Sequence, residues 1–196
     1  GLGFEKLVMA PGSEPRTLPI PGIELAPSLY SLQDARDIYS RLSGADTVAV
    51  IGGGFIGLEI AAAAAVSGKA VTVIEAAPQI LGRSLTPNLA ERIRSIHEEA
   101  GISIIDSVSV EKVTPDGVSI DGGFIGADLV LCGAGSVPRT QLAETADLEI
   151  NNGIVVNQYL ETRAANIYAI GDAACFLSVS GARRRYESVQ NANDQA

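Results

Sequence analysis

The sequence predicts an α/β fold, a parallel doubly wound βαβαβ sheet followed by an antiparallel β-meander. Two features predict it. From residue 47 to 105, short apolar runs alternate with longer stretches at helical spacing, in the order strand, helix, strand, helix, strand. Beyond residue 106 the texture alternates and is broken by the turn signals Pro115-Asp116-Gly117 and Asp121-Gly122-Gly123. Composition agrees: 196 residues, 46% hydrophobic and 19% charged, with 21 glycines, suffice for a sizeable core with glycine-rich turns.

Taken in order, residues 6–10 read as a short buried strand. APGSEPRTLPIPG comes next, and five of the nine prolines lie between Pro11 and Pro27, a density that keeps the backbone extended and reads as a linker. SLQDARDIYSRL places Leu32, Ala35, Ile38 and Leu42 near helical spacing behind Ser31, a good N-cap residue. TVAVI (47–51) is a buried strand, and GFIGLEIAAAAAVSG a helix stopped at Gly68, where left-handed backbone suits the helix end. AVTVIEAA supplies the next strand from residue 70. LTPNLAERIRSIHEEAG has Thr86 as cap and Pro87 as first helical residue, with Leu89, Ile93, Ile96 and Ala100 as its apolar stripe and Gly101 as its stop. ISII is a third strand, and after the meander DLVLCG and IYAIGD read as further buried strands.

The balance of charge restricts the partners. Fourteen basic residues against 23 acidic ones give a net charge of −9, which argues against a broad face for nucleic acid or anionic lipid. No run approaches the ~18–20 apolar residues of a membrane span, and the best candidate, LEIAAAAAV, contains Glu59. Neither a nucleic-acid nor a membrane partner is expected. Cys132 and Cys175 are far apart with no CxxC, so they read as small buried residues in a reducing, cytoplasmic compartment. His97 is the single histidine, beside Glu98 and Glu99 on an amphipathic helix, so no metal site is expected. An opening inside an apparent strand, KLVMA, is expected of a piece of a longer chain.

The chemistry centres on VAVIGGGFIGLEIA, where Gly52, Gly54 and Gly57 form a GxGxxG loop around Phe55 and Ile56. A strand precedes this loop, a helix comes after it, and Glu75 ends the next strand 23 residues after Gly52. In that Rossmann-like context Gly52 makes the turn, Gly54 admits a pyrophosphate, and Gly57 permits close helix–strand packing. The helix N-terminus meets the phosphates, and Glu75 accepts hydrogen bonds from a ribose 2′-OH. An acid there repels a 2′-phosphate, which favours NAD over NADP. The loop alone leaves open whether a flavin or a nicotinamide dinucleotide is held. Glu59 also has two readings: an acid in the helix's first turn, stabilised by the macrodipole by ~0.3–1 kcal/mol, or a group aimed sideways at a nicotinamide amide.

Further segments carry a resemblance. IYAIGDAA, with Gly171-Asp172 after a short apolar strand, resembles the flavin-contacting motif of the FAD-dependent pyridine nucleotide-disulfide oxidoreductase superfamily. KLVMAPG, ending at Gly12, resembles the segment that closes the flavin domain before the NAD domain, and LVLCGAGSVPRT resembles the return segment. RRRYESVQNANDQA is similar to the stretch that distinguishes the ferredoxin-, rubredoxin- and putidaredoxin-reductase branch. The resemblance implies that Gly52–Gly57 hold NAD, that Glu59 contacts the nicotinamide, and that Gly133 and Gly135 lie near it. It also implies Arg83 along the adenosine part, Asp172 on the ribityl chain of FAD, and Val189 by the flavin. Pro11 stands where Thr is usual, Tyr30 where relatives often carry an Arg, and Arg139 where Asn is common.

By the same resemblance the chain is α/β with two partial segments of a flavin domain. Residues 1–30 are the end of that domain and a linker, 31–134 an NAD-binding domain, and 135–196 a returning flavin segment. The whole protein would be an NADH-dependent, FAD-containing reductase that passes electrons to a ferredoxin-like iron–sulfur carrier of an oxygenase or P450 system. Hydride transfer between cofactors needs no acid or base from the protein, so no catalytic side chain is expected. The alternatives are a reductase acting on disulfide, oxygen or another acceptor, and an NAD-binding module without catalysis. The 196 residues alone are expected to lack FAD and to be inactive. Arg183-Arg184-Arg185 is either a solvated loop or a patch that steers an acidic carrier.

Overall fold

The computed structural model describes residues 3–179 and 181–196; Gly1 and Leu2, the start of the expected 1–30 segment, and Ser180 lie outside it. The described chain is a mixed α/β structure that divides into two compact units, Pro15–Gly135 and a second made of Gly1–Glu14 with Ser136–Ala196. In chain order the strands are β1 (Leu7–Met9), β2 (Ser13–Pro15), β3 (Thr47–Ile51), β4 (Ala70–Ile74), β5 (Ser103–Ile105), β6 (Val110–Thr114), β7 (Gly117–Ile120), β8 (Gly123–Gly126) and β9 (Leu129–Cys132). They continue with β10 (Ser136–Pro138), β11 (Ile154–Val156), β12 (Ile167–Ala169), β13 (Ala174–Leu177) and β14 (Arg183–Arg184). The helices are α1 (Leu32–Ser43), α2 (Phe55–Val66), α3 (Pro87–Glu99), α4 (Gln141–Thr145) and α5 (Val189–Gln195).

The continuous unit is built on a four-stranded parallel sheet in the order β5-β4-β3-β9. Its central strands are apolar on both faces, as a parallel sheet covered on both sides requires. Val48 and Val50, Val71 and Val73, and Leu129 and Leu131 point into one core with Ile38 of α1, Leu58 and Ala61 of α2, and Ala90 of α3. The alternate residues, Ala49, Ile51, Ile74, Val130 and Cys132, point into a second core closed by Val113 and Val118 of the antiparallel β6–β7–β8 meander. The sheet is thus sandwiched between helices and meander, and strand alternation alone sorts its residues between them.

The helix ends obey local chemistry. Ser31 caps α1 in a capping box, its hydroxyl accepting from Asp34 N–H while the Asp34 carboxylate accepts from Ser31 N–H. Gly68 and Gly101 lie just beyond α2 and α3 at φ of 80° and 84°. The proline-rich stretch, expected as a linker, is extended but packed. Leu18 and Ile23 lie against the second core, Ala26 is buried in it, and Val113 N–H donates to Pro21 O while Cys132 N–H donates to Pro27 O. Prolines do not prevent such packing, because their carbonyls remain available to neighbouring N–H groups.

The α3 face differs from its predicted stripe. Leu89 and Ile96 are exposed, whereas Ala90 is buried and Ile93 packs against the core. Arg94 occupies the same inward side, its side chain 16% exposed. It donates to Ile104 O and pairs with Glu98 and Asp106. An arginine that satisfies its charge locally can cover apolar surface with its stem, and a count of apolar residues does not register it.

In the other unit, β1 pairs in parallel with β12, β2 lies beside β10, and β13 lies between a parallel β11 and an antiparallel β14. Met9, Ile154, Val156, Ala169, Ala173 and Ala174 form its core with Ala143 of α4. Among the described residues, no helix is long and apolar enough to cross a membrane.

Candidate functional site

The glycine loop stands at the carboxyl ends of β3, β4 and β9, where open parallel sheets bind ligands. Its shape is fixed by backbone contacts. Gly52 N–H donates to Ile74 O at 2.8 Å, Leu81 N–H donates to Gly53 O at 2.9 Å, and Gly133 N–H donates to Ile51 O at 2.7 Å. At Gly57 an added Cβ would stand 2.0 Å from Gly52 O, and at Gly133 one would stand 2.7 Å from the Gly57 Cα. These two glycines are therefore demanded by the protein's own packing. Gly133 was expected near a nicotinamide; here it is buried against Gly57.

Gly54 is different. Its φ is −81°, which any residue adopts, and a Cβ built there meets nothing closer than 4.0 Å. Neither backbone conformation nor packing calls for glycine at this position. It opens α2 as the N-cap, and no side chain caps that N-terminus among the described residues. Uncapped backbone N–H groups beside an open, side-chain-free position suit a diphosphate approaching the helix end. The loop therefore fits the pyrophosphate of a dinucleotide.

Around the loop, Phe55, Ile56 and Glu59 are exposed. Glu59 is the fifth residue of α2, which has no acidic residue in its first turn. The first-turn macrodipole reading of Glu59 is thereby overturned: α2 begins at Phe55, so its first turn ends at Leu58, one residue before Glu59. Glu75 sits at the end of β4, half-buried, with both carboxylate oxygens engaged. Oε2 accepts from Gly53 N–H at 2.7 Å, and Oε1 accepts from Ala77 N–H at 2.7 Å. Each oxygen retains a lone pair, so a ribose hydroxyl can still be accepted. Glu75 nevertheless has a task that the glycine motif does not announce, holding the glycine loop. Arg83 is exposed, with Nη2 3.6 Å from where a Gly135 Cβ would stand, so the structure brings these two residues together on the same edge. Gly135 has a φ of 85°.

The remaining predicted residues gather in the other unit. Gly171 and Asp172 form a one-turn 3-10 helix after β12. Ser13 Oγ donates to Asp172 Oδ2 at 3.1 Å, Gly171 N–H donates to Gln195 Oε1 at 2.8 Å, and Arg185 Nη1 donates to Asp172 O at 3.0 Å. Gly12 directly precedes Ser13, has a φ of 70°, and has nothing within 4 Å of an added Cβ. Gly171 has a φ of 69°, and only Ala192 approaches an added Cβ, at 3.8 Å. The turn thus presents the Asp172 carboxylate, an acceptor that fits the hydroxyls of the polyol part of a flavin. Val189 opens α5 and is exposed. Ser13, Arg185 and Gln195 were missed by sequence reasoning. Ser13 carried a faint signal: Pro11 removes the usual hydroxyl, and the next available one, two residues on, reaches the Asp.

The departures and basic run also find places. Arg139 pairs with Glu14 at 3.2 Å, and its N–H donates to Gly12 O. Tyr30 is exposed. Arg183 and Arg184 form β14, with Arg183 paired to Glu149 at 3.2 Å, so the first two residues of the run are strand and Arg185 lies beyond it. Both cysteines are free and buried, and desolvation pushes the Cys175 thiol upward. His97 stays within its own helix: its Nδ1 lies 2.9 Å from Ile93 O in the last turn of α3.

Comparison with known proteins agrees with this geometry. The family model described as pyridine nucleotide-disulphide oxidoreductase matches residues 2–196. A rubredoxin-NAD(+) reductase of Pseudomonas putida is 37% identical over 98% of this chain and 52% of its own length. The putidaredoxin reductase of the same organism is 37% identical over 100% of this chain and 50% of its own. The crystal structure of a ferredoxin reductase from Rhodopseudomonas palustris superposes with a TM-score of 0.93 at 38% identity, over 98% of this chain and 50% of that one. The chain spans about half the length of the curated relatives it matches. With a family match over residues 2–196, the chain belongs to the pyridine nucleotide-disulphide oxidoreductase family.

Proposed function

We propose that this chain is the NAD-binding part, with two flanking flavin-domain segments, of an NADH-dependent flavoprotein reductase that serves a ferredoxin-like iron–sulfur carrier. The observation that carries the reading is Gly54, a glycine that the protein's own structure does not require, at the uncapped start of α2. Its support is the similarity to rubredoxin, putidaredoxin and ferredoxin reductases along nearly all of the chain.

In this reading Gly52–Gly57 cradle the pyrophosphate of NAD, Glu75 selects the 2′-hydroxyl, and Arg83 lies along the adenosine. Phe55, Ile56, Glu59 and Gly135 flank the nicotinamide end, with Glu59 orienting the amide. Gly12, Gly171, Asp172 and Val189 belong to the flavin side. When bound, the cofactors supply hydride transfer from NADH to FAD and single electrons onward to the carrier. The protein's share is to position the rings and exclude water. The carrier would feed an oxygenase or P450 system in the cytoplasm.

The whole protein tests the reading. Purified, it should be yellow, release FAD on denaturation, and reduce a ferredoxin-type carrier with NADH in preference to NADPH. A colourless whole protein, or one that reduces only disulfides, oxygen or peroxide, would refute it. The 196 residues carry one GxGxxG loop, so by themselves they are expected to be colourless and to bind NADH without passing electrons on.

A further inference from the structure

Arg185 stands apart from the two arginines before it. Arg184 is exposed and Arg183 reaches Glu149 at the surface, but the Arg185 side chain is only 6% exposed. Its Cδ lies beside Gly153, where an added Cβ would stand 3.1 Å away. A buried guanidinium is unfavourable unless its charge and its donors are matched. Nη2 pairs with Glu187 Oε1 at 2.5 Å, and Glu187 Oε2 accepts from Ser136 Oγ at 2.8 Å. Nη1 donates to the carbonyl of Asp172 at 3.0 Å, while Nε is buried with no partner among the described residues. An arginine kept inside with one donor unmatched is not there for net stability. Its distinctive contact is the backbone of the Gly171–Asp172 turn.

We infer that Arg185 is a positioning residue for flavin binding, locking the main chain of the Gly171–Asp172 turn so that the Asp172 carboxylate meets the flavin in one orientation. The turn is then held from three directions. Ser13 engages Oδ2, Gln195 engages the Gly171 N–H, and Arg185 engages the Asp172 carbonyl. Glu187 and Ser136 fix the guanidinium in turn. A lysine cannot substitute, because one ammonium does not reproduce the planar fork that reaches Asp172 O and Glu187 together. The inference rests on the flavoprotein reading and adds to it a residue that a basic surface run would conceal.

The test uses the whole protein, stripped of flavin and titrated with FAD by fluorescence quenching. Arg185→Met should weaken FAD binding about tenfold or more, as expected for losing a hydrogen bond from a charged donor. Arg185→Lys should restore little of it. NADH binding should stay within about twofold of the unaltered protein, since the glycine loop is untouched. At saturating FAD, the visible circular dichroism of the bound flavin should change, which a loss of general stability alone would not produce. FAD affinity within about twofold and an unchanged dichroism spectrum in Arg185→Met would overturn the inference. If Arg185→Met does not fold, Glu187→Gln carries the test: it leaves the guanidinium but weakens its anchor, and unchanged FAD affinity there would overturn the inference equally. Absence of FAD from the unaltered protein overturns the flavoprotein reading and this role with it. Equal uptake by unaltered and variant proteins overturns this role alone.

Discussion

Replacing Glu75 with Gln separates the two tasks assigned to that side chain. The carboxylate accepts two backbone N–H bonds, from Gly53 and Ala77, each at 2.7 Å. A Gln amide has one carbonyl oxygen, so it can keep one of these bonds and must turn its NH₂ toward the other N–H. A hydrogen bond to a charged group is worth ~1.5–3 kcal/mol, and a retained neutral one ~0.5–1.5 kcal/mol. The expected loss is therefore about 1.5–5.5 kcal/mol, concentrated in the glycine loop. The part of this loss that falls on the bound conformation alone lowers NADH affinity, about tenfold for each roughly 1.4 kcal/mol. The part already felt without nucleotide should lower the melting temperature of the nucleotide-free protein by roughly 2–4 °C per kcal/mol for a chain of this size. Isothermal titration with NADH and a thermal scan without it would measure both. A nucleotide-free melting temperature unchanged to within about 1 °C, with reduced NADH affinity, would refute the loop-holding task and leave only the ribose contact.

Four further outcomes are expected. Gly57→Ala should destabilise the fold itself, its Cβ falling 2.0 Å from Gly52 O. Gly54→Ala should shift the melting temperature little while cutting NADH affinity about tenfold or more, because only the ligand needs that space. Equal melting temperatures for the two variants would contradict the packing argument. Glu59→Ala, at an exposed position, should slow reaction with NADH in the whole protein without changing its stability; unaltered steady-state kinetics would remove it from the site. Asp128 accepts from the Thr47 hydroxyl, Thr47 N–H and Asp46 N–H, and these bonds hold its carboxyl below the usual value of 3.8. A lowered folded-state value means stability present above about pH 4 and lost as pH falls through the folded value. Asp128→Asn should thus melt earlier than the unaltered protein at pH 7, with the gap closing below about pH 4. A gap independent of pH would rule this out.

The central sheet and its glycine loop were legible because their signals are local. TVAVI and AVTVI are apolar on both faces, and Gly68 and Gly101 punctuate the helices where left-handed backbone is needed. What escaped depended on partners distant in sequence. Glu75 reads as a ribose acceptor because the motif says so, yet its two backbone donors are visible only once Gly53 and Ala77 are folded around it. The inward side of α3 was displaced because Arg94 buries itself through Asp106 and Ile104, twelve and ten residues away. Arg185 was hidden within three consecutive basic residues, which a one-dimensional pattern cannot divide into a surface pair, an exposed cation and an interior one. The packing of Leu18 and Ala26 was obscured by prolines that speak for extension but not for exposure.

The continuous unit also carries its own seam. Arg16 N–H donates to Gly135 O at 2.9 Å, so the two ends of Pro15–Gly135 are stitched to each other through main chain. In the flanking unit, Arg139 N–H donates to Gly12 O at 3.0 Å, joining the two strands of chain that leave and return. A segment closed in this way behaves as a cassette. It can be excised with its ends already adjacent, joined through a short link, or exchanged for the corresponding cassette of a relative. If the glycine loop holds a dinucleotide as proposed, a swap of this kind is expected to carry nucleotide preference with it.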